Sequence, residues 1–404
     1  MKSLLLLVLS LVCAHPGISR AQKSTLRKSL TVLISIDGFR PEYLERGLTP
    51  VLSALSDAGA RAEAMVPSFP SVTFPNHITL VTGVVPDKHG VVNNVMNDPN
   101  IPNSRFRLSD RAALSDQRWW DEATPIWVTA HRQNKIASTL FWPGSEVSIQ
   151  GVQPDDWLPY QEIPSQERVE KLLTWLNRPD EARADFATLY FSEVDILGHQ
   201  SGTVSAATNA AIGNVDMQIG LFLQGIEKLH LRDVTNIVIV SDHGMADTSL
   251  EKVIDLSELS PELNARDVVW TGAFAGVEAS PAAAQKALQK LKAAPNMDCW
   301  RKSEIPAEFE FGSHRRIPEI FCLAQSGWSI VANRSMKIIP GQHGYAPRYP
   351  DMSAIFIASG PNIKTLKTGV FKNVEIYGLL CELLGITPEP GSARSVLAEM
   401  IIRK

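Results

Sequence analysis

Three aspartates and three histidines stand where their side chains could converge on one crevice. Asp37 ends the apolar run of "SLTVLISIDG", and Asp242 with His243 ends that of "VTNIVIVSDHG". Asp195 and His199 are four apart in "DILGH", a spacing that puts both on one face of a helical turn. His343 sits in the glycine-flanked loop "PGQHGY". Three or four nitrogen and oxygen donors suit one zinc-like ion, so six suit two. Two ions a few ångströms apart can activate a nucleophile and stabilise a leaving oxygen, as phosphoryl transfer requires. Thr73 in "SVTFPNH" is placed to be that nucleophile. It precedes a proline suited to a first helical turn, and the free N–H groups and dipole of a helix N-terminus favour both alkoxide and phosphate.

Taken singly, each of these residues has an ordinary reading. A strand-end Asp is usually a turn or cap residue, and a lone His is usually satisfied on the surface or in the core. The unusual feature is that D-G, D-x₃-H, D-H-G and G-x-H-G occur together, each at a strand end or in a loop. His77, His89, His131, His230 and His314 lack such settings and read as structural, or as groups supporting the ligands from behind. Glu193 is a rival ligand. It stands two residues before Asp195 in what reads as a strand, where that spacing equally suits packing.

The elements that position these groups read as an α/β fold. Residues 29–38, 185–195, 234–244 and 351–361 are apolar runs of the kind that form buried strands. Helical spacing falls at 49–59, 76–86, 206–229 and 373–386. Strands alternating with helices give a largely parallel central sheet flanked by helices, and ligands of such sheets bind beyond the carboxyl ends of the strands. Residues 249–335 break the rhythm with a strand–helix–strand–strand pattern, read as a small α+β inserted subdomain within one catalytic domain over 22–404.

The chain has 404 residues, 44% hydrophobic and 20% charged, with a net charge of −4. A mildly acidic chain without a Lys/Arg block argues against a stable nucleic-acid partner. Residues 1–21 read as a signal peptide cleaved after Ala21. Their apolar run, about ten residues, is well short of the roughly 20 that span a bilayer. The expected location is therefore periplasmic or secreted, with no membrane span. Of the four cysteines, Cys13 leaves with the signal. Cys299 and Cys322 are free to pair in an oxidising compartment, and Cys381, in an apolar helical run, reads as a buried thiol. No C-x-x-C spacing is present, so a metal site here must use His, Asp and Glu.

The motifs "LISIDGFRPEYL", "MVPSFPSVTFPNHITLVTGVVPDKHGVVNN", "YFSEVDILGHQSG", "VIVSDHGM" and "GQHGY", in that order, resemble the nucleotide pyrophosphatase/phosphodiesterase family of the alkaline phosphatase superfamily. The resemblance spans about residues 30–247 and 335–390. It implies an alkaline-phosphatase-like core and two Zn2+ per chain. Asp37, Thr73, Asp242 and His243 would bind one ion, and Asp195, His199 and His343 the other. Thr73 would be the nucleophile. Asn94, in "HGVVNN", would hold a non-bridging phosphoryl oxygen together with the backbone N–H near Phe74. An uncharged amide there suits the single charge of a diester better than a monoester dianion. Phe74 and Tyr160 correspond to a base-stacking pair, with Trp157 the runner-up for Tyr160, and Tyr190 to a further pocket-lining aromatic. The chain lacks the cysteine-rich and nuclease-like modules of large animal members, so it resembles the compact bacterial type. No C-x-P-x-R appears, which removes the sulfatase branch.

The expected reaction is hydrolysis of nucleoside 5′-phosphodiester and pyrophosphate bonds through a nucleotidyl-threonine, releasing nucleoside 5′-monophosphates. Its substrates would be small nucleotides: diesters, dinucleotides and nucleoside triphosphates. A choline-phosphodiesterase acting on lysophospholipid head groups is the alternative, because an aromatic clamp also holds a quaternary ammonium. A monophosphatase ranks third, and a metal-binding pseudo-enzyme would belong to a different class.

Overall fold

The run Leu30–Ile36 is buried at all seven positions, as a strand must be when it has neighbours on both edges and helices on both faces. The computed structural model describes residues 27–103 and 105–403. The expected signal segment, with its cleavage after Ala21 and with Cys13, lies outside them. Leaving shorter pieces aside, the chain runs β1 (Leu30–Ile36), α1 (Pro50–Ala58), β2 (Ala60–Ala62), α2 (Thr73–Thr82), β3 (Ala137–Leu140), β4 (Asp156–Leu158), α3 (Ser165–Leu176), β5 (Phe186–Phe191), α4 (Glu193–Ser201), α5 (Ala206–Lys228) and β6 (Thr235–Val240). Next come β7 (Val268–Trp270), β8 (Phe274–Val277), α6 (Pro281–Leu291), β9 (Met297–Arg301) and β10 (Ile320–Ala324). The core resumes with β11 (Phe356–Ser359), β12 (Leu366–Thr368) and α7 (Glu375–Leu384).

Eight strands form the central sheet in the order β12-β2-β11-β6-β1-β5-β3-β4. β1 pairs parallel with both β5 and β6, and β11 runs antiparallel between β6 and β2. The sheet is thus mixed and mostly parallel. Side chains alternate between its faces. Val32, Ile34, Ile237 and Ile239 pack with Leu52 of α1, Leu172 of α3 and Ile212 of α5. Leu33, Val238 and Val240 join the opposite core, with Leu80 of α2 and Leu379 of α7. Each such buried aliphatic side chain contributes about 1.5–3 kcal/mol.

The smaller antiparallel sheet has the order β7-β8-β10-β9. Cys299 and Cys322 face each other across β9 and β10 and are joined by a disulfide, while Cys381 is free and buried. The small sheet meets the core through an aromatic cluster in which Phe69 contacts Phe309, Phe311 and Phe321. Beside it, the buried Arg316 guanidinium bonds Asp98 Oδ2 at 2.5 Å and the carbonyls of Gly90, Trp119 and Arg118. A buried cation is tolerable when its donors are satisfied in this way.

Several element boundaries differ from expectation: the strand expected over 351–361 forms only over Phe356–Ser359, after a 3-10 turn at Pro350–Met352, and three further differences bear on the site. The helix expected over 76–86 begins at Thr73 and stops at Thr82, where Gly83 turns left-handed at φ +70°. Pro75 is its third residue, still within the turn that needs no intrahelical N–H. The strand expected to reach 195 ends at Phe191, so Glu193 and Asp195 lie in the first turn of α4. The strand expected to reach 244 ends at Val240, leaving Asp242 and His243 in the loop after it.

Candidate active site

β6, β1 and β5 lie side by side, with Ser35 opposite Val240 and Ile36 opposite Phe191. The chain just past each carboxyl end supplies one acid: Asp242, Asp37 and Asp195. Gly38 turns the chain sharply at φ +69°, and a Cβ there would lie 3.1 Å from Asp195 Cα. The positive φ and the close approach both favour glycine where the Asp37 turn meets the first turn of α4.

The imidazoles close on this edge from three directions. His243 Nε2 is 3.0 Å from Asp242 Oδ2 and 3.6 Å from Asp37 Oδ1. Asp195 Oδ1 lies 3.4 Å from His199 Nε2 and 3.6 Å from His343 Nε2. The His243 and His343 rings stack with centroids 3.6 Å apart. Each Nδ1 faces a carbonyl at 2.8 Å: Gly341 for His199, Gly244 for His243 and Ser71 for His343. A carbonyl can only accept, so each Nδ1 carries a hydrogen, which leaves Nε2 as the nitrogen turned to the site.

Cations fit this donor set. Asp37 Oδ1, Asp195 Oδ1 and Asp242 Oδ2 are buried without a hydrogen-bond donor, an expensive condition that positive charge would relieve. Burial, and then the charges of Asp242 and Asp195, hold the Asp37 carboxyl well above its ordinary range. Burial likewise raises Asp195. Asp242 moves the other way: burial opposes its charge, but His243 and His77 outweigh it. Burial opposes the His243 charge too, yet Asp242 keeps that ring above its usual value. Burial and the neighbouring His243 and His199 push His343 well below. Asp195, His199 and His343 can gather on one ion, and Asp37, Asp195 and His243 on another, with all ligand atoms of each set within 4.8 Å. Asp195, expected on the His199 and His343 side, lies within reach of both groups. Asp242 abuts His243, and its Oδ1 accepts the Gly38 N–H at 3.2 Å.

Thr73 is the first residue of α2, and its Oγ1 stands 3.3 Å from His243 Nε2. The cavity above it, about 370 Å³, is lined by Asp37, Asp195, His199, His343, Asn94, Phe74, Tyr160 and Tyr190 among others. Asn94 Oδ1 accepts the Phe74 N–H at 2.8 Å, which leaves the Asn94 NH₂ to donate while the Phe74 N–H is engaged. The runner-up Trp157 does not line this cavity.

Some roles were read only coarsely in the sequence: Tyr190 was expected to line the pocket and His77 to support the ligands from behind, and the remaining contributors were missed. Tyr190 lines the cavity, and its hydroxyl also donates to Asp37 Oδ2 at 2.5 Å. His77, buried behind the acids, bonds the Thr73 carbonyl and Ser35 Oγ, both at 2.9 Å, and its Nδ1 lies 3.5 Å from Asp242 Oδ2. Its position four residues after Thr73, on the same helix face, was the available signal. Trp120, Phe141 and Trp142 add apolar wall, and Glu146 and Glu162 add charge. Glu193 accepts the Ser165 hydroxyl and takes no place in the metal-binding groups.

Over most of its length the chain is similar to known phosphodiesterases. The family model described as "Type I phosphodiesterase / nucleotide pyrophosphatase" matches residues 31–346. An "uncharacterized pyrophosphatase/phosphodiesterase" of Schizosaccharomyces pombe is 35% identical over 90% of this chain and 79% of its own. Ectonucleotide pyrophosphatase/phosphodiesterase family member 1 of Mus musculus is 33% identical over 93% of this chain, which spans only 43% of that protein. The structure of murine ectonucleotide pyrophosphatase/phosphodiesterase 5, inactive and in complex with AMP, superposes with a TM-score of 0.87 at 29% identity, covering 93% of this chain and 100% of that one. None of these three is bacterial, so the compact bacterial type has no counterpart among them. With the family model covering most of the chain and the strand-end acids in place, this protein belongs to the type I phosphodiesterase/nucleotide pyrophosphatase family of hydrolases.

Proposed function

We propose that this protein hydrolyses nucleoside 5′-phosphodiester and pyrophosphate bonds in small nucleotides and releases nucleoside 5′-monophosphates. The observation that carries this reading is the placement of the Thr73 hydroxyl. It sits at a helix N-terminus, 3.3 Å from His243 Nε2, at the floor of an aromatic-lined cavity. The AMP complex of the murine relative supports a nucleotide occupant.

Thr73 Oγ1 forms a bond to the α-phosphorus as the bond from phosphorus to the leaving oxygen breaks. That oxygen departs with the electron pair, and the threonine hydroxyl proton passes to solvent. A water oxygen then bonds the phosphorus of the nucleotidyl-threonine, the bond to Oγ1 breaks, and Oγ1 regains a proton. The Asn94 NH₂ donates to a non-bridging oxygen throughout, and Phe74 and Tyr160 hold the base. Asp37, Thr73, Asp242 and His243 on one side, and Asp195, His199 and His343 on the other, would hold two Zn2+ ions, with Asp195 facing both. When bound, such ions neutralise the charge that develops on attacking and leaving oxygens. The chain's own part is positioning and electrostatics, which dominate phosphoryl transfer.

A second reading, cleavage of choline-phosphate esters, has one observation in its favour: Glu146 and Glu162 line the same aromatic cavity, and carboxylates beside aromatic faces attract a quaternary ammonium. The Cys299–Cys322 disulfide supports an exported protein in an oxidising compartment. Among the described residues no helix is long and apolar enough to cross a membrane.

The deciding experiment compares a nitrophenyl nucleoside 5′-phosphodiester, the matching monoester and a nitrophenyl choline-phosphate ester, using wild type and Thr73→Ala, before and after chelation. Diester cleavage that needs both Thr73 and metal supports the nucleotide reading. Equal or better cleavage of the choline ester or the monoester refutes it.

A further inference from the structure

The cavity that holds Phe74 and Tyr160 is bounded by Asn94, His199 and His343. A second cleft, about 380 Å³, is lined by the same three residues. The edge of the metal site is therefore a wall common to two spaces of similar size. Thr73 lines only the first.

The far side of the second cleft comes from the small sheet, through Thr271 and Gly272 between β7 and β8, with Gln342 beside them. Gly272 has φ +119°, a conformation suited to glycine, and it lies against the Gln342 side-chain amide. Among the described residues Arg105 is the only Lys or Arg lining the cleft. Its side chain is exposed, and Nη2 donates to the Val269 carbonyl at 3.3 Å. Among the described residues its guanidinium forms no ion pair.

A diester bound with its base in the first cavity must direct its other ester arm away from Thr73, because attack is in line. That arm needs a second space opening at the His199 and His343 side. We propose that the second cleft receives the leaving group, and that Arg105 selects leaving groups bearing phosphate charge. This inference rests on the phosphodiesterase reading above. Substrates cut at a pyrophosphate bond release a phosphate-bearing arm, which a guanidinium recognises by charge-assisted hydrogen bonds. An aryl ester releases no such group.

The test is the ratio of kcat/KM for ATP to that for the nitrophenyl ester of thymidine 5′-monophosphate, measured on the intact chain. Arg105→Ala should lower this ratio by about tenfold, on the scale of one charge-assisted contact, and Arg105→Lys should restore part of it. Inhibition by pyrophosphate alone should weaken in parallel in Arg105→Ala. If wild type cleaves both substrates and the ratio and the pyrophosphate inhibition do not change in Arg105→Ala, the assignment of Arg105 is wrong while the phosphodiesterase reading stands. If wild type cleaves neither, that reading fails and this inference with it.

Discussion

The Tyr190 hydroxyl donates a 2.5 Å hydrogen bond to Asp37 Oδ2, tying the end of β5 to the acid at the end of β1. Burial, and then the Asp37 charge, raise the phenol well above its usual value, so it remains a donor across the physiological range. One Asp37 oxygen is thus fixed, and Oδ1 is left free to face the site.

Tyr190→Phe should leave the fold intact and weaken metal binding. Removing a hydrogen bond that orients a metal ligand typically costs about 10–100-fold in affinity. Zinc retention against a competing chelator measures this directly. Unchanged retention would mean that Asp37 is held by packing alone.

Phe74 and Tyr160 line the cavity that opens over Thr73. Stacking one base on an aromatic side chain is worth about 1–3 kcal/mol, so Phe74→Ala or Tyr160→Ala should raise KM for a nucleotide diester roughly 5- to 160-fold. Steady-state kinetics with nucleoside and methyl phosphodiesters would separate this from a general defect. The loss should be confined to the substrate that carries a base.

Gly38→Ala combines a positive φ with a Cβ 3.1 Å from Asp195 Cα. Relieving the contact shifts the first turn of α4, and Asp195 with it, away from Asp37. Both metal binding and turnover should fall, and more steeply than in Gly47→Ala. Gly47 has a similar φ of +71°, but a Cβ there meets nothing within 4 Å. Comparable losses in the two variants would place the effect in backbone strain rather than in the acid spacing.

Acid stability reports on the junction between core and small sheet. Burial opposes the Glu122 charge, but hydrogen bonds from His314 and Arg315 outweigh it and hold the carboxyl down at about 2, below its ordinary 4.5. The folded value lies below the unfolded one, so this contribution to stability is complete above about pH 4.5 and is lost as pH falls toward about 2. Glu122→Gln should unfold at lower urea than wild type at pH 7, and the gap should narrow as pH drops through that window. A gap independent of pH would assign the cost to geometry, not charge.

Much of the site was legible because its logic is local. Asp37, Asp195 and Asp242 each follow an apolar run, and an α/β sheet gathers such ends whatever the details of its helices. The groups that tune them were not legible. Tyr190 alternates with Phe191 in a buried strand, and nothing in that pattern separates a packing aromatic from one whose hydroxyl grips an acid. Arg316 meets Asp98 and Glu122 across about two hundred positions of sequence, a pairing set by how the small sheet docks. The boundary errors have a similar cause. The expected strand ran on to Asp195 because Glu193 and Val194 continue an alternating pattern, while the chain turns into α4 at that point.

Thr73 is proposed to attack phosphorus and to be displaced later by water. The most direct test is the stereochemical course at phosphorus, followed with a chiral phosphorothioate diester in isotopically labelled water. Two in-line displacements should give net retention in wild type, with no turnover in Thr73→Ala. Net inversion, the signature of one direct attack by water, would contradict a nucleotidyl-threonine.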